Sequence, residues 1–236
     1  MIKGKLAENN YKPRFSGHET FPFRYLWISK LLISIKNHGS ENVNKLSLMD
    51  LMVLWGCGAN MTKSIKHWCI ALDIIDHKYN LSKFGQLLLE KDPYLEDQQT
   101  LWLLHWKIAS NINFTTWFYV FNFMQVSKIN KSDIVNELIT LWPKSSRNTI
   151  ERDVDVFIRT YTLSLNKKGQ MSEDSLECPL SELNLINPTS QKGFYEIQRG
   201  AKPSLTPQVF KYALAEFCIS SLNTTRLISF DNLLYS

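Results

Sequence analysis

Two glycines set two residues apart inside the stretch 46–75, LSLMDLMVLWGCGANMTKSIKHWCIALDII, constrain this chain more than any other feature. Apolar residues recur at helical spacing on both sides of them, so the chain leaves one helix near Gly56 and enters another a few residues later. Ser47 is placed to cap the first helix, whose apolar residues are Leu48, Met49, Leu51, Met52 and Trp55. Asn60 is placed to cap the second, in which Met61, Ile65, Trp68, Leu72 and Ile75 share one face. Lys63, Lys66 and His67 lie off that stripe, with Thr62 and Ser64. Helix, glycine turn and a second helix with a cationic outer face is the helix-turn-helix pattern: one face locks into a small core while the other can lie in a DNA groove. The same text also fits a plain helical hairpin with a solvated lysine face.

The flanking text extends this unit. Pro22 suits the first turn of a helix running to about Asn37, and the polar HGSENVNK then reads as a linker. An extended piece at 78–81 and a helical turn capped by Ser82 supply a short wing, so 14–91 reads as one winged-helix domain, with His77, Lys78 and Lys83 reaching for phosphate. The stretch 92–130 reads as a helical hub. Its first helix, opening at Asp97 or Gln98, is apolar or aromatic nearly all round, and its second, from Thr115, carries Trp117, Phe118, Val120, Phe121 and Met124. With 12% aromatic residues and seven tryptophans in 236 residues, the chain has ample material for a well-buried core.

From 131 to 236 a second helix-turn-helix-like unit is expected. One helix is capped by Ser132 and ended by Pro143. Ser146 caps the next, whose outer face carries Arg147, Asn148, Arg152 and Arg159 among the acids Glu151, Asp153 and Asp155. Beyond it, NKKGQMSEDS reads as a polar loop, CPLSELNLI as a short helix or turn, GFYEIQRGAKP as a strand and TPQVFKYALAEFCISSL as a helix. TRLISFDNLLYS predicts a strand and the start of a helix, so the natural chain is expected to continue. The fold class is therefore mainly α, with winged helix-turn-helix units packed on an aromatic-rich helical core and a few short strands.

A net charge of +5 permits nucleic acid without demanding it. Cys57, Cys69, Cys178 and Cys218 are scattered, with no metal spacing, which fits reduced thiols and a cytoplasmic protein. The N-terminus has no signal region, and no apolar run is long enough to cross a membrane. Two stretches hold groups able to do chemistry. In RFSGHET, Arg14, His18 and Glu19 offer a cation, an imidazole and a carboxylate for acid–base work; the alternative is a turn at Gly17 with a capping Glu19 or Thr20. In DPYLED, Asp92, Glu96 and Asp97 could chelate Mg²⁺ or another divalent metal; the alternative is a turn at Asp92 and a cap at Asp97. His105, between Trp102 and Trp106, reads as a core histidine.

Five blocks, RFSGHETFPFRYLW, GCGANMTKSIKHW, DPYLEDQQTLWLLHW, RDVDVFIRTY and SFDNLLYS, follow one another as they do in a bacterial family. The chain resembles the SspB-like DNA phosphorothioation proteins from Arg14 onward. The resemblance implies double-stranded DNA binding with a strand-nicking activity that opens the site for sulfur, in an anti-phage defence system. It implies a cysteine desulfurase, an ATPase and a PAPS-reductase-like sulfurtransferase as partners, and a homo-oligomer is compatible with it. It transfers no catalytic residue. With it, the residues expected at DNA are Asn60, Lys63, Ser64, Lys66, His67, Lys78, Arg147, Asn148 and Arg152. A non-catalytic DNA-binding adaptor and a transcriptional regulator are the competing readings.

Overall fold

The computed structural model describes residue 6, residues 11–162 and residues 178–222. The expected loop NKKGQMSEDS and the expected strand and helix in TRLISFDNLLYS lie outside them. The described residues are mainly helical, with one small three-stranded sheet. The first helix, α1 (Tyr25–His38), begins three residues after Pro22, because 18–24 is taken up by an irregular loop that ends in extended backbone at Arg24. Next, α2 (Ser40–Lys45) occupies the expected linker. Its one buried residue, Val43, is too weak a signal to show in a polar window.

The pair α3 (Leu48–Trp55) and α4 (Ala59–Ala71) forms as the glycines require. Ser47 caps α3 in a reciprocal box with Asp50. Gly56 closes α3 in the left-handed conformation, φ 62° and ψ 42°, where a Cβ would be strained. Gly58, not Asn60, is the N-cap of α4, so Asn60 is already inside the helix. The helix ends at Ala71, and Ile75 instead pairs with Leu81 in a single antiparallel bridge. The turn between them is knotted on Asp76, whose Oδ1 accepts the N–H groups of Lys78 and Asn80. The expected wing is thus a tight Asx-type turn, too short to be an extended hairpin.

Then come α5 (Lys83–Lys91), capped by Ser82, α6 (Gln98–Ala109), capped by Asp97, and α7 (Thr115–Asn122). A short β1 (Lys128–Asn130) leads into α8 (Lys131–Leu141), which is capped by Asn130; Ser132 only donates to that cap. After α9 (Arg147–Tyr161) a 3-10 turn at Pro179–Leu183 precedes β2 (Ile186–Pro188), β3 (Phe194–Ile197) and α10 (Pro207–Leu222). The sheet order is β1-β3-β2, antiparallel, with Ile129 opposite Tyr195 and Asn187 opposite Glu196.

One cluster of buried apolar side chains runs from Phe15 to Val209. At its centre Trp68 meets Trp117 edge to face at 5.7 Å, and Trp117 meets Phe157 at 5.5 Å. Burial of each such ring stabilises by roughly 1.5–3 kcal/mol. On the outside, α10 is fastened to α6: Glu216 accepts from Trp106 Nε1 at 2.8 Å and from Lys107 at 2.7 Å. The outer side of α3 is left apolar and open, with Met49 and Val53 mostly exposed.

Candidate nucleic-acid interface

The seven-residue stretch RFSGHET is wedged between α4, α7 and α9. The Ser64 hydroxyl donates to the His18 carbonyl at 2.9 Å, and Trp68 Nε1 donates to the Phe21 carbonyl at 3.2 Å. Gly17 stands at φ 114° with the His67 ring against it; a Cβ there would lie 2.3 Å from a ring carbon. His18 is 3% exposed. Its Nδ1 accepts the Thr20 N–H at 3.1 Å, which leaves the ring proton on Nε2, facing Asp153 Oδ1 at 2.7 Å. The second Asp153 oxygen accepts the Thr116 hydroxyl at 2.5 Å. A carboxylate that is itself 2% exposed is therefore held by two donors, as a charge removed from water requires.

This arrangement settles how the three groups expected to do chemistry are displayed. The His18 ring has both nitrogens engaged inside the protein. Arg14 and Glu19 lie at the surface. Glu19 and Thr20 both adopt left-handed backbone, φ 48° and 64°, although neither is glycine. Two such residues in succession are costly and persist only where their surroundings enforce them. The enforcing contacts are the Thr20 N–H on His18 and the Arg159 guanidinium on the Thr20 carbonyl.

The residues expected at DNA divide into two groups. Asn60 and Lys63 are exposed near the start of α4, and Lys78 is exposed on the Asp76 turn. Ser64 is fully buried under the 14–21 loop, whose His18 carbonyl it holds, and Thr62 is nearly so, bonded to the Gly58 carbonyl and Cys57 beside it; both leave the outer face where the helical spacing put them. His67 is mostly covered by Gly17 and Phe114. Burial first, then nearby His18 and Arg14, push its pKa down to about 4, so it is neutral at pH 7. Lys66 is half-buried with its ammonium 4.2 Å from the Tyr79 ring centre, and burial lowers its pKa. On α9, Arg147 pairs with Glu151 at 2.9 Å, and Asn148 and Arg152 are exposed. Asn148, Arg152, Asp155 and Arg159 fall on one helical stripe, and Asp155 is neutralised by Lys131 at 2.7 Å.

Asp92, Glu96 and Asp97 line an open cavity of about 470 Å³ with Lys91, Gln99 and Thr100. Two of the three carboxylates are spent locally. Asp92 accepts the N–H groups of Glu96 and Asp97, at 2.8 and 3.1 Å, and Asp97 caps α6 through the Gln99 N–H. Among the described residues no group of three or more His, Cys, Asp or Glu is placed to hold a metal ion. His105 donates to or accepts from the Tyr161 hydroxyl at 2.9 Å, and burial lowers its pKa to about 3. Among the described residues no helix is long and apolar enough to cross a membrane.

The sequence placed Asp153 among the acids that offset the outer face of α9, but it is buried against His18 and Thr116; Thr116 was not singled out. The signal for Asp153 was there: it is an acid set among the inward positions Ile150, Val154 and Phe157 of α9. Nothing local marks Thr116, whose partner lies 37 residues away.

The fold has solved relatives. A magnesium-ion-bound SspB crystal structure superposes on it with a TM-score of 0.79 at 25% identity, covering 99% of this chain and 74% of that one. A second SspB crystal structure gives 0.73 at 26% identity, covering 92% and 69%. No curated protein matches the chain. A family described as protein of unknown function (DUF4007) matches residues 15–236. The chain therefore belongs to the DUF4007 family and is SspB-like.

Proposed function

We propose that this chain is a DNA-binding component of a bacterial DNA phosphorothioation system, nicking one strand so that sulfur can enter the backbone. The observation that carries the reading is the α3–α4 pair, taken together with the likeness to SspB. Asn60 and Lys63 stand exposed on a helix whose opposite side is locked by Trp68, Ile65 and Leu72. In a helix-turn-helix, the N-terminal residues of the second helix meet base edges while lysine meets phosphate. Lys78 and Arg152 would add backbone contacts.

For the nicking step the groups at the surface are Arg14 and Glu19. A guanidinium can stabilise the charge that develops on phosphate, and a carboxylate can accept a proton from attacking water. The magnesium of the SspB relative finds no fitting donor set among the described residues, because Asp92 and Asp97 are committed to backbone N–H groups. The enclosure of His18, with both ring nitrogens engaged inside the protein, favours a second reading, a non-catalytic adaptor that brings the desulfurase, ATPase and sulfurtransferase to a cytoplasmic DNA site.

The test has two arms. Binding of a labelled duplex is followed by anisotropy at several salt concentrations; Lys63→Ala should weaken it and reduce the slope of log K against log salt by about 0.9. Conversion of supercoiled plasmid to open circles is then followed with and without chelator. Binding without nicking supports the adaptor, and absence of duplex binding ends both readings.

A further inference from the structure

The two surfaces expected at DNA, α4 and α9, lie far apart in sequence but share one junction. The Glu19–Thr20 turn touches both. On one side it continues from His18, whose carbonyl holds Ser64 of α4 one helical turn below Asn60. On the other, the Thr20 carbonyl accepts Arg159, the end of the Asn148–Arg152–Arg159 stripe of α9. Beneath the turn, the buried imidazole joins the Thr20 N–H to Asp153 on α9, and Thr116 of α7 completes that contact.

We infer that His18 and Asp153 are a positioning pair, which holds the Glu19–Thr20 turn so that Asn60 and Lys63 of α4 and Asn148 and Arg152 of α9 form one continuous surface for the phosphates of a DNA duplex. This rests on the DNA-binding reading above. Three features of the site point the same way. The turn holds two strained non-glycine residues at the surface, which need an external constraint. The constraint is a buried polar network with every atom engaged, which has a single geometry to offer. The exposed residues on either side are cations and amides, and the one acid on the α9 stripe, Asp155, is paired with Lys131. The imidazole never reaches the nucleic acid. It acts only through the turn.

The experiment uses the full chain and a labelled random-sequence duplex, with affinity measured across a salt series. Lys63→Ala and Arg152→Ala should each flatten the slope by about 0.9, and the double variant by about 1.8, if both meet the same duplex. His18→Gln keeps an amide N–H for Asp153 but has no acceptor at the Nδ1 position that holds the Thr20 N–H. It should weaken binding about tenfold and flatten the slope by at least one contact, although the side chain itself meets no phosphate. A merely structural role lowers the folded fraction and leaves the slope alone, so the slope separates the two. Should His18→Gln fail to fold, Thr20→Pro decides: at an exposed position it removes the same N–H and forbids φ 64°. A folded His18→Gln or Thr20→Pro protein with the wild-type slope overturns the inference, as does Arg152→Ala without effect. If the wild-type chain binds no duplex, it is the underlying DNA reading that falls.

Discussion

Asp153 is an acid on the buried side of its helix, and that position decides what its loss would do. Asp153→Ala leaves the His18 Nε2–H and the Thr116 hydroxyl facing an empty site inside the core. Leaving a buried donor without its acceptor in this way costs about 1–3 kcal/mol, which a shift of the denaturation midpoint in urea would show. The two shielded histidines make a separate prediction. His67 and His105 have pKa values pushed down to about 4 and about 3 in the folded chain, whereas an unfolded histidine titrates near 6.5. Below pH 6.5 the unfolded state therefore binds protons that the folded state refuses, and stability falls as pH drops toward 4. Because both residues are only partly covered, we expect on the order of 1 kcal/mol from each, and His67→Phe should remove part of the pH dependence of the melting temperature. At this scale the sequence was legible where a residue's role is local, as at Ser47. It was not legible where the partner is remote. His18 could be seen as a chemical group, but nothing in RFSGHET says that an aspartate 135 residues away would enclose it.

At the scale of the element, the α3–α4 pair was readable because its determinants sit within a few residues of one another: a capping serine, a glycine in the left-handed region, and a 3.6-residue apolar stripe. Gly56→Ala forces a Cβ into that left-handed position and should cost about 1–2 kcal/mol, and Ser47→Ala about 1 kcal/mol; thermal melts of the two variants check both. The same reading placed Thr62 and Ser64 outside. Periodicity shows which face is apolar, but a polar face can still be covered by another segment whose own polar groups it satisfies, and the 14–21 loop does so at Ser64. The short α2, β1 and β2 escaped for a related reason. Three-residue strands are specified by pairing across the chain, as Lys128 with Glu196, more than by their own composition.

For the whole molecule, one core unites the described residues, and α10 is held to it from outside by a compact polar lock. Burial alone would raise the Glu216 pKa, but hydrogen bonds from Lys107, Tyr212 and Trp106 outweigh it and hold the carboxyl below its usual range. Burial likewise pulls on Lys107, and its partners Glu216, Tyr212 and Asp73 overcome that and raise it. The stability this carboxyl contributes is present above its unfolded pKa and lost as pH falls through the folded value. Glu216→Gln should therefore loosen α10 while sparing the centre, seen as faster amide exchange confined to 207–222. The tryptophan-rich hub was evident from composition, whereas the attachment of α10 was not, because Lys107 and Glu216 are 109 residues apart.

The span between His18 and Asp153 also sets an order of events during synthesis. A ribosome adding about 5–20 residues per second takes roughly 7–27 s to travel from one to the other. For that interval the glutamate–threonine tip has no anchor on its far side, and a nascent chain arrested earlier would carry the first helical pair without the clasp that fixes it to the second.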